Sequence, residues 1–298
     1  MKKSMIHLLL IGNLVLLAHV TFSQKIRYEK VKFAPVRGHY KILQELSILP
    51  TASRTAWDRL SFPFDSANYQ KRLSLTPIYL TGITPEMIKM PEMPANSSEQ
   101  TRAELDYLLQ LQAQRVEEDE RKSLFFADVY YNLRVKPTDT NYPKMQRNLF
   151  HIGRSIGTWF NADSLPKTAK LIKNVWQDAS YFIWYFKFKY SRIRPYKLET
   201  KLKNVQETDW AAYPSGHSAN SYVNAFIFQV FAPEFSDIFI KDAYDMAHSR
   251  EIIGVHYPSD SEASRVMARQ IVDYLFQNEQ FIRDFEDAKK EWIKYGTN

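Results

Sequence analysis

The sequence predicts an all-α protein, and three observations carry that prediction. Glycine is scarce, eight in 298 residues, while aromatic residues make up 14% of the chain. That composition disfavours sandwiches and barrels, which need many tight turns, and favours packed helices. Apolar residues recur at helical spacing in several long segments, and no strand–helix alternation of the kind that builds a parallel sheet is visible. An apolar fraction of 45% is ordinary for a chain that buries a core, which excludes whole-chain disorder.

The chain opens with Lys2 and Lys3, then an apolar run from Leu8 to Ala18, then the small residues of Thr21-Phe22-Ser23. This order predicts a secretory signal peptide over residues 1–23, cut between Ser23 and Gln24. The run is short for a membrane span, and no later run comes near that length. The mature protein is therefore expected to be exported, periplasmic or secreted, with no transmembrane span. Cysteine is absent, which removes disulfides, zinc-thiolate sites, iron–sulfur clusters and thiol nucleophiles together. Losing Lys2 and Lys3 takes the formal charge of +7 down by two, to +5. So modest an excess fits nucleic acid, an anionic membrane or a small anion, and without a long Lys/Arg run a nucleic-acid partner is disfavoured.

Residues 24–95 differ from the rest. Ile26, Tyr28, Val31 and Phe33 fit a short extended segment, and Pro77, Pro85, Pro91 and Pro94 break any long helix. They are expected to form an irregular N-terminal extension wrapping the domain that follows. From Ser98 the pattern is helical: Thr101-x-x-Glu104 resembles a capping box ahead of Leu105, Leu108, Leu109 and Leu111. Glu117 to Lys122 reads as a solvated helix face. A second helix is expected from Ser164, with Pro166 in its first turn and a stripe running from Leu171 to Phe186. Arg194 precedes a proline, so this helix should end nearby. Further helices are expected over 216–232, 258–277 and 279–294.

Three clusters can carry chemistry. Lys187 and Arg194 are seven apart, close to two helical turns, and can present two cations on one face. Alone, this pattern equally describes a basic helix end. In Pro214-Ser215-Gly216-His217, Ser215 is a plausible N-cap, Gly216 permits close approach, and free N–H groups at a helix start favour an anion beside His217. The alternative is a capped helix with an incidental histidine. In the third cluster, Ser249-Arg250-x5-His256-x3-Asp260, the Asp260 carboxylate one turn on can accept from His256 Nδ1, leaving Nε2 free, while Arg250 offers a planar fork to phosphate oxygens. A His–Asp pair bracing a turn is the simpler reading of that cluster alone.

Together, Lys187-x6-Arg194-Pro195, Pro214-Ser215-Gly216-His217 and Ser249-Arg250-x5-His256-x3-Asp260 resemble the tripartite signature of the phosphatidic acid phosphatase type 2 superfamily. The stretch from Ser98 to about Gln277, with the flanks Tyr190-Ser191-Arg192-Ile193 and Ala212-Tyr213, is most similar to bacterial class A non-specific acid phosphatases. One departure is Ser261-Glu262-Ala263-Ser264, where the family often reads Val-x-Ala-Gly; Ser264 is expected to affect packing more than chemistry.

The resemblance implies a helical bundle of the acid phosphatase and vanadium haloperoxidase type, with residues 96–298 as the phosphatase domain. It implies that Lys187, Arg194, Arg250, Ser215 and the Gly216 amide hold the phosphate oxygens. His256 would attack phosphorus, Asp260 would support it, and His217 would serve as general acid and base. No metal or other cofactor is implied, since the basic cluster supplies the positive charge, and vanadate would bind as a phosphate mimic. Activity is expected to be bell-shaped in pH, with an acidic optimum. The expected partner is a small phosphorylated substrate, and the family allows a homodimer. Three alternatives use the same residues: a lipid phosphate or polyprenyl diphosphate phosphatase, a vanadium haloperoxidase, and a non-catalytic anion-binding protein. His39, His151 and His248 have no matched partner at useful spacing.

Overall fold

The computed structural model describes residues 34–297, so the expected signal peptide and the segment Ile26 to Phe33 lie outside the described residues. No strand occurs among the described residues, and the all-α prediction stands. Among the described residues ten helices of seven or more residues follow one another: α1 (Gly38–Gln44), α2 (Ser66–Leu73), α3 (Glu99–Gln114), α4 (Glu117–Ala127), α5 (Tyr142–Leu149), α6 (Pro166–Tyr190), α7 (Gly216–Phe231), α8 (Ser236–Ile252), α9 (Pro258–Leu275) and α10 (Glu279–Ile293).

Helix α7 is the axis of the packing. Every residue from Ser221 to Phe231 is buried, as expected of a helix apolar on all sides. It packs against α6, α8 and α9, while α10 packs along α6. At its C-terminal end Phe231 stacks on Trp292 of α10 at 4.8 Å and on Phe285 at 4.1 Å, and Phe228 and Phe160 close the cluster around Trp292. This aromatic end anchors one terminus of α7, and the other carries Gly216 and His217.

Local chemistry sets the helix ends that matter. Ser98, not Thr101, is the N-cap of α3, its hydroxyl accepting from the Thr101 amide at 3.1 Å. Glu104 is thus a turn further in and fully buried, and the expected capping box does not form. Helix α6 ends at Tyr190 because Ser191 takes the left-handed conformation, φ 43°. Lys187 and Arg194 therefore do not share a helix face; the turn at Ser191 swings Arg194 back instead. Helix α8 has no clean apolar stripe, since Phe239, Ala243, Met246 and Ala247 share the buried surface with Asp242, Ser249, Arg250 and Glu251.

Residues 34–95 cross several helices. The Asp178 carboxylate on α6 accepts from the amides of Ile78, Tyr79 and Leu80 at 2.7, 3.1 and 3.1 Å. Arg37 forms a two-point ion pair with Glu251 of α8, at 2.5 and 3.0 Å. Tyr213 donates its hydroxyl to Pro91 O at 2.6 Å, beside the loop that leads into α7.

Candidate active site

A cavity of about 670 Å³ opens where the N-terminus of α7 meets α6 and the α8–α9 turn, and Lys187, Arg194, Gly216, His217, Arg250 and His256 all line it. Two members of the expected set lie behind its wall, Ser215 and Asp260, both with no exposed surface. Three separate segments of the chain thus meet at one place.

Helix α9 positions the His–Asp pair. Pro258 occupies its first turn, and Asp260 Oδ2 accepts from the Tyr257 amide at 3.0 Å, fixing the carboxylate at the helix start. The same oxygen lies 3.0 Å from His256 Nδ1. A carboxylate only accepts, so Nδ1 carries the proton and Nε2 is the basic nitrogen. Nε2 in turn sits 3.0 Å from Arg194 Nη1, which also donates to Val255 O at 2.7 Å.

Cations surround this ring. Lys187 donates to Ala211 O at 2.7 Å. Arg250 Nη2 donates to Gln206 Oε1 at 2.9 Å, while its buried Nε and Nη1 have no hydrogen-bond partner among the described residues. Two unsatisfied guanidinium donors in a cavity wall are costly unless something anionic meets them. Ser215 caps α7: its oxygen accepts from the Ser218 hydroxyl at 2.8 Å and from the Ser218 amide at 3.4 Å. The cap leaves the amides that open the helix, at Gly216 and His217, without an intrahelical partner. His217 Nε2 is 3.0 Å from Ala127 O at the end of α4; a carbonyl only accepts, so Nε2 carries hydrogen and Nδ1 is the nitrogen left to exchange a proton.

A buried His256 ring and a half-buried His217 ring thus face three basic side chains and a helix start. Residues 173–281, which contain all three clusters, match the PAP2 superfamily. A non-specific acid phosphatase of Providencia stuartii is 33% identical over 135 residues, 43% of this chain and 54% of that protein. An acid phosphatase of Zymomonas mobilis subsp. mobilis is 29% identical over 140 residues, covering 45% and 53%. The chain spans about half the length of the curated relatives it matches. Among solved structures, a holo-type bacterial vanadium-dependent chloroperoxidase shares the fold with a TM-score of 0.52 at 10% identity, over 80% of this chain and 60% of that one.

The electrostatics of this site follow from burial and its basic side chains. Burial, reinforced by Arg194, holds His256 well below the usual imidazole range despite Asp260. Burial and Arg250 bring His217 down to about 3. Burial lowers Arg250 to about 9 and Arg194 to about 10, with Arg194 adding to the effect on Arg250. Burial works against ionisation of Asp260, yet Arg192 and His256 hold it at about 2. Burial, with Arg194 adding to it, also holds Lys187 well below its usual range, so the site gathers basic side chains and two neutral rings with little negative charge.

Several residues behind this site have roles that their spacing in the sequence does not reveal. Arg192 donates to Asp260 Oδ1 at 2.7 Å and to Glu104 Oε2 at 3.1 Å, and its guanidinium lies 3.8 Å from the Tyr257 ring centroid. Glu104 also accepts from the Ser259 amide at 2.8 Å and the Ser259 hydroxyl at 2.9 Å, tying α3 to the first turn of α9. Ser264, the family departure, places its hydroxyl 2.8 Å from Ser215 O and 2.7 Å from Asp260 O, joining two motif loops. Gly254 does not reach the cavity. Its φ of +71° is what requires glycine, in the turn between α8 and α9. His151 does line the cavity, and its buried Nε2 has no partner among the described residues. His39 and His248 face Glu251, at 3.7 and 3.2 Å.

Proposed function

We propose that this protein is an exported phosphomonoesterase that hydrolyses small phosphate esters through a phosphohistidine on His256. The observation that carries the reading is the His256–Asp260 pair, 3.0 Å apart, opening onto a cavity shared with Lys187, Arg194, Arg250 and His217. The PAP2 domain and the acid phosphatase relatives support it. Export rests on the expected leader at residues 1–23; no helix of the described residues is long and apolar enough to cross a membrane.

The phosphate enters among Lys187, Arg194 and Arg250, its oxygens taking the open Arg250 donors and the Gly216 amide. Ser215, behind the wall, holds that amide in place through its cap. Arg194 Nη1 turns from His256 Nε2 to the phosphate, freeing the ring lone pair. Nε2 then attacks phosphorus in line. The bond from phosphorus to the alcohol oxygen breaks, and that oxygen takes the proton that His217 Nδ1 accepted from the substrate monoanion on binding. In the second half His217 Nδ1 takes a proton from water, the water oxygen attacks phosphorus, and the P–N bond breaks to release phosphate. Throughout, Asp260 stabilises positive charge on the His256 ring, and the three cations stabilise the charge spread over the transferring group.

The test is turnover of p-nitrophenyl phosphate by the wild type and by His256→Ala, with acid-quench trapping of labelled protein. The wild type should yield an acid-labile phosphoprotein and the variant neither label nor turnover. Wild-type rates in His256→Ala would overturn the assignment. Vanadate should inhibit competitively, and dialysis against EDTA should leave turnover intact.

A further inference from the structure

Three cations outside the motifs share the cavity. Lys71 and Arg72 come from α2, in the N-terminal extension, and Arg134 from the loop after α4. Arg72 is held in place by aromatic rings: its guanidinium carbon is 4.2 Å from the Trp184 ring centroid and 4.5 Å from that of Trp210. Both rings are tied to the motif residues. Trp184 precedes Lys187 by three residues on α6, a rise of about 4.5 Å, and Trp210 O accepts from Arg194 Nε at 2.6 Å. Arg134 is locked to the same helix end, Nη2 donating to Lys71 O at 2.9 Å and to Ser74 Oγ at 3.0 Å.

Among the described residues none of Lys71, Arg72 and Arg134 pairs with a carboxylate. Arg72 Nε has no hydrogen-bond partner either. Glu207 and Asp209 also line the cavity, but neither pairs with these three cations. Burial, with Arg134 adding to it, lowers the affinity of Arg72 for its proton. Like charges gathered around one opening repel each other, and an anion entering between them removes that cost.

We propose that Lys71, Arg72 and Arg134 form a second anion subsite, so that the preferred substrate carries another negatively charged group on the alcohol side of the scissile phosphate. The inference rests on the phosphatase reading, because the motif cations then hold the scissile phosphate and leave only the alcohol portion to reach α2. It gives residues 66–73 of the extension a contact with substrate. The aromatic plates keep Arg72 extended, which limits the freedom lost when the anion binds.

The experiment compares kcat/KM for fructose 1,6-bisphosphate and fructose 6-phosphate in the wild type, Arg134→Ala and Arg72→Gln, with p-nitrophenyl phosphate as a third substrate. In the wild type the bisphosphate should be preferred about tenfold at low salt, and the preference should shrink as salt rises. Each variant should cut the bisphosphate-to-monophosphate ratio by about fivefold or more. Arg134 is exposed, so its truncation spares the packing around the tryptophans. An unchanged ratio in both variants, or no preference in the wild type, would overturn the subsite while leaving the phosphatase reading intact. Loss of all three activities in the wild type would overturn the phosphatase reading itself.

Discussion

Arg194 Nη1 lies 3.0 Å from His256 Nε2, so the nitrogen assigned as nucleophile already accepts a hydrogen bond from a cation meant for the phosphate. The ring is thereby kept neutral and its lone pair occupied until an anion draws the guanidinium away. Arg194 follows burial as a cause of the low His256 pKa. Arg194→Gln removes the charge and keeps a donor, so the His256 pKa should rise, read from its ring-proton shifts against pH. The same variant should weaken vanadate inhibition by about tenfold or more, the loss expected for one hydrogen bond to a charged group. A weaker inhibitor with an unmoved histidine would contradict the contact.

Arg192 sits between two buried carboxylates, Asp260 and Glu104, and neither it nor they have exposed side-chain surface. Removing the cation leaves two buried acids without compensation, a loss of about 3–5 kcal/mol. Arg192→Met should therefore shift the urea midpoint far to lower concentration. Burial pushes Asp260 up and Arg192 is what most opposes it, so the Asp260 pKa should rise in the variant. Asp260 would then become protonated at a higher pH, and the acid limb of kcat should move towards neutrality. A stability loss with an unmoved acid limb would assign Arg192 to the fold alone.

The parts of the site that were legible in the sequence are those set by local geometry. His256 and Asp260 are four residues apart in and before the first turn of α9, and Ser215 caps its own helix, so spacing alone implies these contacts. Lys187 and Arg194 are a partial case. Seven residues suggest a shared face, but the two actually meet through the left-handed turn at Ser191. Contacts that depend on distant pairing left no trace. Glu104 meets Ser259 across 155 residues, and its spacing from Thr101 imitates a cap that Ser98 provides. Helix α8 escaped notice because Asp242, Ser249, Arg250 and Glu251 interrupt its buried face; of these, Arg250 lines the cavity and Glu251 holds Arg37 of the extension.

With His217 brought down to about 3 in the free protein, its ring is neutral over the mildly acidic range expected for the proposed hydrolysis, and the proton for the leaving oxygen has to arrive with the substrate. A phosphomonoester loses its second proton near pH 6. The monoanion can deliver that proton once the phosphate has offset Arg250, Lys187 and Arg194, which together depress His217. So kcat/KM should fall about tenfold per unit above the second pKa of the substrate. Two aryl phosphates whose second pKa values differ by about one unit should show limbs displaced by the same amount. A limb that stays put would mean that an enzyme group, not the substrate, sets it.

His151 offers a test of how burial shapes acid stability. Burial, with Arg154 adding to it, brings its pKa down to about 3, against 6.5 for the ordinary side chain. The unfolded chain therefore binds one more proton than the folded one between those two values. Stability contributed by the neutral ring is complete above pH 6.5 and is lost as the pH falls, by about 1.4 kcal/mol per unit. Asp178, raised to about 6 by burial, works the other way between pH 6 and 3.8, since there the folded form holds the extra proton. His151→Phe keeps a ring among Phe125 and Phe126 but cannot titrate. Urea unfolding at pH 7 and pH 4.5 should show the variant losing about 2–3 kcal/mol less than the wild type over that interval. An equal loss in both proteins would show that His151 is already charged, or already hydrated, in the folded state.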